Sequence, residues 1–289
     1  MAGWVLGVIG GSGVYDIEGL ENAHWRRIES SFGEASDAVL TGNLGPVGLV
    51  FLPRHGRGHP LPPTSLNALA NIDVLKRAGC TDVLSLSAVG SLREALSPGD
   101  FVVVDQFIDR TFARVKSFFG PGLAAHVSMA EPVCPRLSGL AAAAGGAAGA
   151  RVVEGGCYLA MEGPQFSTRA ESALYRSWGC DVIGMTNMPE AKLAREAELP
   201  YASIAMVTDY DCWREAVAPV EVAHIQEVLA RNAALARDLV RRLALSLPPE
   251  RSASPIDTCL DGALITAPAA RDPALMAKLS AVAGRVLNV

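Results

Sequence analysis

Trp4-Val5-Leu6-Gly7-Val8-Ile9 runs without a charge into Gly10-Gly11-Ser12-Gly13. An apolar run closed by glycines has the pattern of a buried strand feeding a tight loop. The pattern returns along the chain. Ala38–Thr41 and Val47–Leu52 read as strands joined by the turn-like Gly42-Asn43-Leu44-Gly45-Pro46. Asp82–Val89, Phe101–Gln106, Asp181–Met185 and Tyr201–Val207 are further strand candidates. Helical stretches lie between and after them. Thr64–Ala78 sets Leu66, Leu69, Ile72 and Leu75 three apart on one face, with Gly79 as its stop. Ser167–Trp178 has helical character, and a helix over Pro189–Glu198 starts where Asn187 and Glu190 have the spacing of a capping box. Val220–Leu245 places Val222, Ile225, Leu229, Ala233, Ala236, Leu239 and Leu243 on one amphipathic stripe, and Asp272–Leu287 predicts a terminal helix. Strands alternating with helices predict an α/β fold, a single domain with a central mixed β-sheet flanked by helices. Ligands in such folds gather at the carboxyl ends of strands.

The whole-chain properties narrow the function. Of 289 residues half are hydrophobic and 19% charged, which suffices for a sizeable core and excludes disorder and fibre. The net charge of -5, with both signs interspersed, leaves no basic stripe to neutralise a nucleic acid backbone. Met1–Gly11 lacks an export signal, and no run of roughly 18 uncharged apolar residues occurs. A cytoplasmic protein without a membrane partner is expected. Cys80, Cys134, Cys157, Cys180, Cys212 and Cys259 are scattered, with neither Cys-x-x-Cys nor metal-ligand spacing, so reduced thiols are expected. The Ala141–Ala150 block is low in complexity and suggests no function. Within the one domain, residues 1–250 are taken as the functional body and 251–289 as a C-terminal extension packing on it.

Each chemically suggestive cluster follows a strand. Gly10-Gly11-Ser12-Gly13 fits either a tight turn or a cradle of N–H groups for an anion, with the Ser12 hydroxyl as one more donor. It lacks the third glycine of a dinucleotide fingerprint and the Gly-Lys-Ser/Thr ending of a P-loop. Arg54-His55-Gly56-Arg57-Gly58-His59 is either a solvated basic loop or a phosphate grip in which Arg54 supplies a bidentate fork. His55 and His59 have a four-residue spacing, but the glycines and the missing helix argue against zinc, and no metal is expected. Ser87 ends a buried strand as a hydroxyl donor, while Ser91 reads better as a cap or turn residue. Thr186 sits beside a helix amino terminus, where anions are favoured, and its neighbour Met185 reads first as core. Asp209 and Asp211 are either a polar turn or a carboxylate pair able to accept from an amine edge and, protonated, to donate to a leaving group.

Eight segments occur together in order: Gly10–Gly13, Arg54–Arg57, Gly90–Glu94, Pro98–Asp100, Asp105–Thr111, Met129–Pro132, Glu162–Ser167 and Thr208–Trp213. On these the chain, over about residues 4–245, resembles the 5'-methylthioadenosine phosphorylases of the trimeric purine nucleoside phosphorylase family. The resemblance implies phosphorolysis of 5'-methylthioadenosine to adenine and 5-methylthioribose 1-phosphate by a homotrimer, or a dimer of trimers. It implies no cofactor, inorganic phosphate being a co-substrate. By matching positions phosphate falls to Ser12, Arg54, His55, Ser87, the backbone at Ala88, and Thr186. Met185 is then expected along the ribose, with Phe166, Ser167, Asp209 and Asp211 around the purine. Asp209 is the expected catalytic residue, handling a proton at purine N7, while Asp211 holds the 6-amino edge. Val222 and Ile225, with His126 from across a trimer interface, match the pocket for the 5' group; the other reading is an apolar helix stripe and a surface histidine. Ser12 and Ser87 stand where many relatives carry threonine, Gln165 replaces a common arginine, and Gly184 and Asn187 also vary.

Alternatives come from within and outside the family. A methylthioinosine or general purine nucleoside phosphorylase would suit an amide at one position of the Asp209/Asp211 pair, and a hydrolytic nucleosidase has no use for Arg54 and His55 as phosphate elements. A nicotinamide-dependent oxidoreductase would explain the early glycine loop but not its missing third glycine, and a non-catalytic nucleotide-binding protein would explain a pocket alone.

Overall fold

The computed structural model describes residues 3–11, 13–214 and 222–288, with the backbone alone for 222–227. Ser12 lies outside the described residues, as do the side chains of Val222 and Ile225. The strands are β1 (Val5–Gly10), β2 (Glu21–Arg26), β3 (Val39–Leu44), β4 (Val47–Pro53), β5 (Asp82–Ser91), β6 (Phe101–Val104), β7 (Gln106–Arg110), β8 (Val152–Glu154), β9 (Cys157–Met161), β10 (Val182–Gly184) and β11 (Tyr201–Asp209). The helices are α1 (Ala68–Arg77), α2 (Pro135–Ala147), α3 (Arg169–Ser177), α4 (Asn187–Glu196), α5 (Val222–Ser246), α6 (Pro273–Lys278) and α7 (Ser280–Leu287).

One mixed sheet runs in the order β2-β3-β4-β1-β5-β10-β9-β7, with β11 also on β5 and the β6–β8 pair beyond β11. Period-two alternation assigns its side chains to two cores. On β11, Tyr201, Ala205 and Val207 pack with Ile72 of α1, Leu193 of α4 and Val282 of α7. Ala202, Ile204 and Met206 face Leu137 of α2 and Leu239 and Leu243 of α5. The helices therefore cover both faces, and β5 and β11 are buried almost throughout.

Residues 251–288 lie against the sheet body. Arg251 and Arg136 both pair with Asp82, which is fully buried. Arg285 of α7 binds Glu198 at 2.5 Å, after α4. The expected terminal helix is two helices, α6 and α7, meeting at Leu279.

Other local expectations shift for identifiable reasons. The helix foreseen from Thr64 begins at Ala68, because a 3-10 turn at Pro63–Ser65 precedes it and the Asn67 side chain accepts from Ala70 N. The Phe101–Gln106 run is divided between β6 and β7. The capping box at Asn187 and Glu190 does not form. Asn187 instead donates to Ser203, and Glu190 turns inward to Arg54. A buried cation offers that carboxylate more than a helix terminus does.

Candidate active site

The site opens where the sheet changes partners. β1 runs beside β5 as far as the Ile9–Ser85 pair, and β10 takes over from the Ile183–Gly90 pair. Among the described residues Leu86–Val89 thus carry β11 on one edge and no strand on the other. Ala88 is exposed in an otherwise buried stretch. An unpaired edge leaves backbone groups free for a ligand. A cavity of about 530 Å³ lies there, bounded by the ends of β1, β4, β5, β9, β10 and β11 and by one face of α5.

The cavity lining includes Gly11, Arg54, His55, Ser87, Ala88 and Thr186. Ser87 Oγ is buried with no hydrogen-bond partner among the described residues. A buried hydroxyl in that state costs free energy unless a ligand completes it. Arg54 is held differently from expectation. Its Nε and Nη2 edge grips Glu190 at 2.9 and 3.1 Å, and Nη2 also reaches Ser85 Oγ at 2.6 Å. Nη1 donates to Leu86 O at 2.8 Å, which leaves its second N–H as the donor for an anion. The bidentate fork goes to a carboxylate of the protein.

The His55 imidazole donates from Nδ1 to Leu61 O at 2.8 Å and stacks on His59 with ring centroids 4.2 Å apart. Burial, assisted by the Arg54 charge, pulls its pKa down to about 4. The ring is neutral near pH 7, with Nε2 an acceptor.

Phe166, Met185, Asp209 and Asp211 line the same cavity. Asp209 Oδ1 accepts the Asp211 N–H at 2.7 Å, and Thr208 Oγ1 donates to Asp209 Oδ2 at 2.7 Å. Asp211 Oδ2 is buried with no partner among the described residues. Burial raises the Asp211 pKa, and the neighbouring Asp209 charge adds to the rise. Asp209, held by fixed donors, stands beside a carboxyl whose pKa burial raises, and such a pair is suited to exchanging a proton with a leaving base.

The structure thus gathers Arg54, His55, Ser87, Ala88, Phe166, Met185, Thr186, Asp209 and Asp211 around one cavity. Ser167 borders it without lining it; its carbonyl accepts from Cys212 Sγ at 3.2 Å. His126 is exposed and stands outside the lining of its own chain. Sequence reasoning missed His59 as a wall and Glu190 as the partner of Arg54. It also left Leu229, Ala230 and Ala233 of α5 out of the pocket, though Leu229 and Ala233 lay on the apolar stripe. Among the described residues no cluster of His, Cys, Asp or Glu is placed to hold a metal, and no helix is long and apolar enough to cross a membrane.

Comparison with known proteins fits this geometry. The model of the phosphorylase superfamily matches residues 5–244. The chain belongs to the phosphorylase superfamily. Within it, a Cereibacter sphaeroides protein named S-methyl-5'-thioadenosine phosphorylase is 62% identical over 286 residues, 98% of this chain and 99% of its own. A crystal structure of a methylthioadenosine phosphorylase from an antarctic soil metagenomic library superposes with a TM-score of 0.91 at 43% identity, covering 96% of this chain and 98% of that one. Methylthioadenosine phosphorylase from Schistosoma mansoni, in complex with adenine, gives 0.81 at 37% identity over 86% of this chain and 93% of its own. The matches span nearly the whole phosphorylase and not the cavity alone.

Proposed function

We propose that the enzyme transfers the 5-methylthioribosyl group of 5'-methylthioadenosine to inorganic phosphate, releasing adenine and 5-methylthioribose 1-phosphate. The supporting observation is a single cavity whose lining combines Arg54, Ser87 and Thr186 as anion donors with the half-buried Asp209/Asp211 carboxylate pair. The 62% identity to a protein of that name points the same way.

Phosphate is held by Ser87 Oγ, the Ala88 N–H, Thr186 Oγ1 and the free Nη1 hydrogen of Arg54, with Ser12 and His55 completing the shell. A tetrahedral anion needs donors from several directions, and these come from separate strand ends. The glycosidic bond stretches, positive charge grows on the ribose beside Met185, and a phosphate oxygen enters from the opposite face. The electron pair of the broken bond goes to the purine, whose N7 is protonated through Asp209. Asp211 accepts from the 6-amino group. A 6-oxopurine would face that acceptor with another acceptor, a mismatch costing on the order of a few kcal/mol in a dry site. No cofactor takes part.

The 5'-methylthio group is assigned to α5, with Val222 and Ile225 joining Leu229 and Ala233. His126 of a neighbouring protomer would close this end in a homotrimer. Phe112 and Val115 are 82% and 65% exposed, apolar side chains that a contact between protomers would cover. Residues 1–250 form the phosphorylase body in this reading, and 251–289 an extension that braces it. A cytoplasmic location and a small-molecule substrate with no nucleic acid partner complete the proposal.

The deciding experiment incubates the enzyme with 5'-methylthioadenosine, with and without phosphate, and follows free adenine. Release only with phosphate supports phosphorolysis, and release without it overturns the assignment. Val222→Glu should abolish use of the methylthio substrate, and unchanged use removes that residue from the pocket.

A further inference from the structure

We infer that Arg114 is a positioning residue for the sugar and phosphate end of the site, acting through the main chain at Met185–Met188. The inference rests on the proposed function, since it takes Met185 as the ribose wall and Thr186 as a phosphate donor. Arg114 itself is outside the cavity lining.

Its guanidinium is spent on the protein. Nη1 donates to Met185 O at 2.6 Å and to Met188 O at 2.8 Å, and Nη2 donates to Glu162 O at 2.7 Å. Nε meets Glu162 Oε1 at 3.1 Å. The other Glu162 oxygen accepts from Phe112 N at 2.6 Å and Ala113 N at 3.2 Å. Both side chains are buried, 5% and 8% exposed. One planar cation therefore joins three segments that lie far apart in sequence: the loop after β7, the end of β9, and the link from β10 to α4.

That link needs outside support. Met188 has φ -119° and ψ 132°, so regular helix starts only after it, and the Met185 carbonyl, ahead of that helix, takes a hydrogen bond from Arg114. The peptide joining Met185 to Thr186 is planar, so fixing the Met185 carbonyl also fixes the direction of the Thr186 N–H. Thr186 follows directly, in the position proposed for phosphate. Lysine has no planar fork with which to span three carbonyls and a carboxylate. The aspartate pair sits on and after β11, outside this network.

The independence of the two ends gives a specific signature. With Arg114→Lys and Arg114→Ala, kcat should fall about 100-fold, the loss that a displacement of roughly 1 Å produces. KM for phosphate should rise about tenfold, while adenine affinity measured by calorimetry without phosphate or sugar stays within about threefold. Added guanidinium ion should restore part of the kcat lost in Arg114→Ala, and melting temperatures measured alongside establish that the variants are folded. A folded Arg114→Lys enzyme with wild-type kcat and phosphate KM overturns the inference, as does loss of adenine affinity as large as the loss for phosphate. The wild-type enzyme run with and without phosphate tests the underlying activity separately.

Discussion

Arg54 Nε lies 2.9 Å from Glu190 Oε2, and the two side chains are 2% and 6% exposed. Glu190 Oε1 also accepts from Ser85 Oγ at 2.7 Å and Tyr201 Oη at 2.8 Å. The pair fixes the guanidinium beside the cavity and offsets its charge. Removing one partner of a buried pair strands the other charge, typically at a cost of 3–5 kcal/mol. Glu190→Gln should lower unfolding free energy by about 3 kcal/mol in denaturant titration. Phosphate KM should rise with it, since Arg54 loses its orientation. An unchanged denaturation midpoint would show that Arg54 relaxes onto another acceptor.

The two aspartates predict opposite phenotypes. Asp209→Asn should cut kcat about 100-fold or more, the contribution of a positioned proton carrier. Asp211→Asn should move preference toward 6-oxopurine nucleosides by about tenfold, because an amide can donate where the carboxylate only accepts. Comparing kcat/KM for methylthioadenosine and methylthioinosine in each variant is the check. Wild-type ratios in both would remove the pair from base recognition.

Asp211 also links stability to pH. Its pKa is raised in the folded chain, chiefly by burial. A group of this kind gives its full stabilisation below its unfolded pKa and loses it as pH rises through the folded value. Above the unfolded pKa the burial of this group therefore weakens the empty enzyme. Asp211→Asn should raise its melting temperature at pH 7 by about 2 °C, a shift typical of small stability changes in chains of this size. The advantage should disappear in acid, and a gain that persists at low pH would separate it from this ionisation.

His55 has the opposite sign. Its pKa is lowered to about 4, so the neutral ring stabilises the fold above the unfolded value and that stability drains away as pH falls toward the folded one. His55→Gln should flatten the stability profile between about pH 6.5 and pH 4. By NMR the wild-type ring should keep its proton on Nδ1 through pH 7. A His55 titration near pH 6.5 would contradict the burial argument.

The fold was largely legible because its central strands are apolar on both faces. β1, β4, β5 and β11 follow from hydrophobicity alone. β2 was invisible since Glu21–Arg26 is exposed throughout, and β8 is too short to show a period. α2 hid in an alanine and glycine run whose hydrophobic stripe is shallow. At the site, residues that touch the cavity by side chain carry chemical signatures, so Arg54, Ser87, Thr186, Asp209 and Asp211 were found. Residues that act on other residues carry none. Glu190 looked like a helix cap and Arg114 had no motif, because their partners lie 136 positions away for one and up to 74 for the other. The side chains of Val222 and Ile225 lie outside the described residues, and His126 stands outside the cavity lining of its own chain.

Gly184 tests how tightly the anion end is packed. A Cβ at this position would lie 2.0 Å from Tyr158 Oη and 2.7 Å from the ring carbon that carries it. Tyr158 is fully buried, and its hydroxyl stands 3.5 Å from the Thr186 N–H. Neither β10 nor the ring can yield without moving Met185 and Thr186, which follow directly. Gly184→Ala should therefore cost about 1–3 kcal/mol, the range for an overpacked core, and raise phosphate KM. Tyr158→Phe removes the hydroxyl but leaves the ring carbon, so the double variant should recover only part of the stability. The recovery, read as a coupling energy from a double-mutant cycle, measures the clash itself. Additive effects of the two substitutions would show that the hydroxyl does not meet the added methyl.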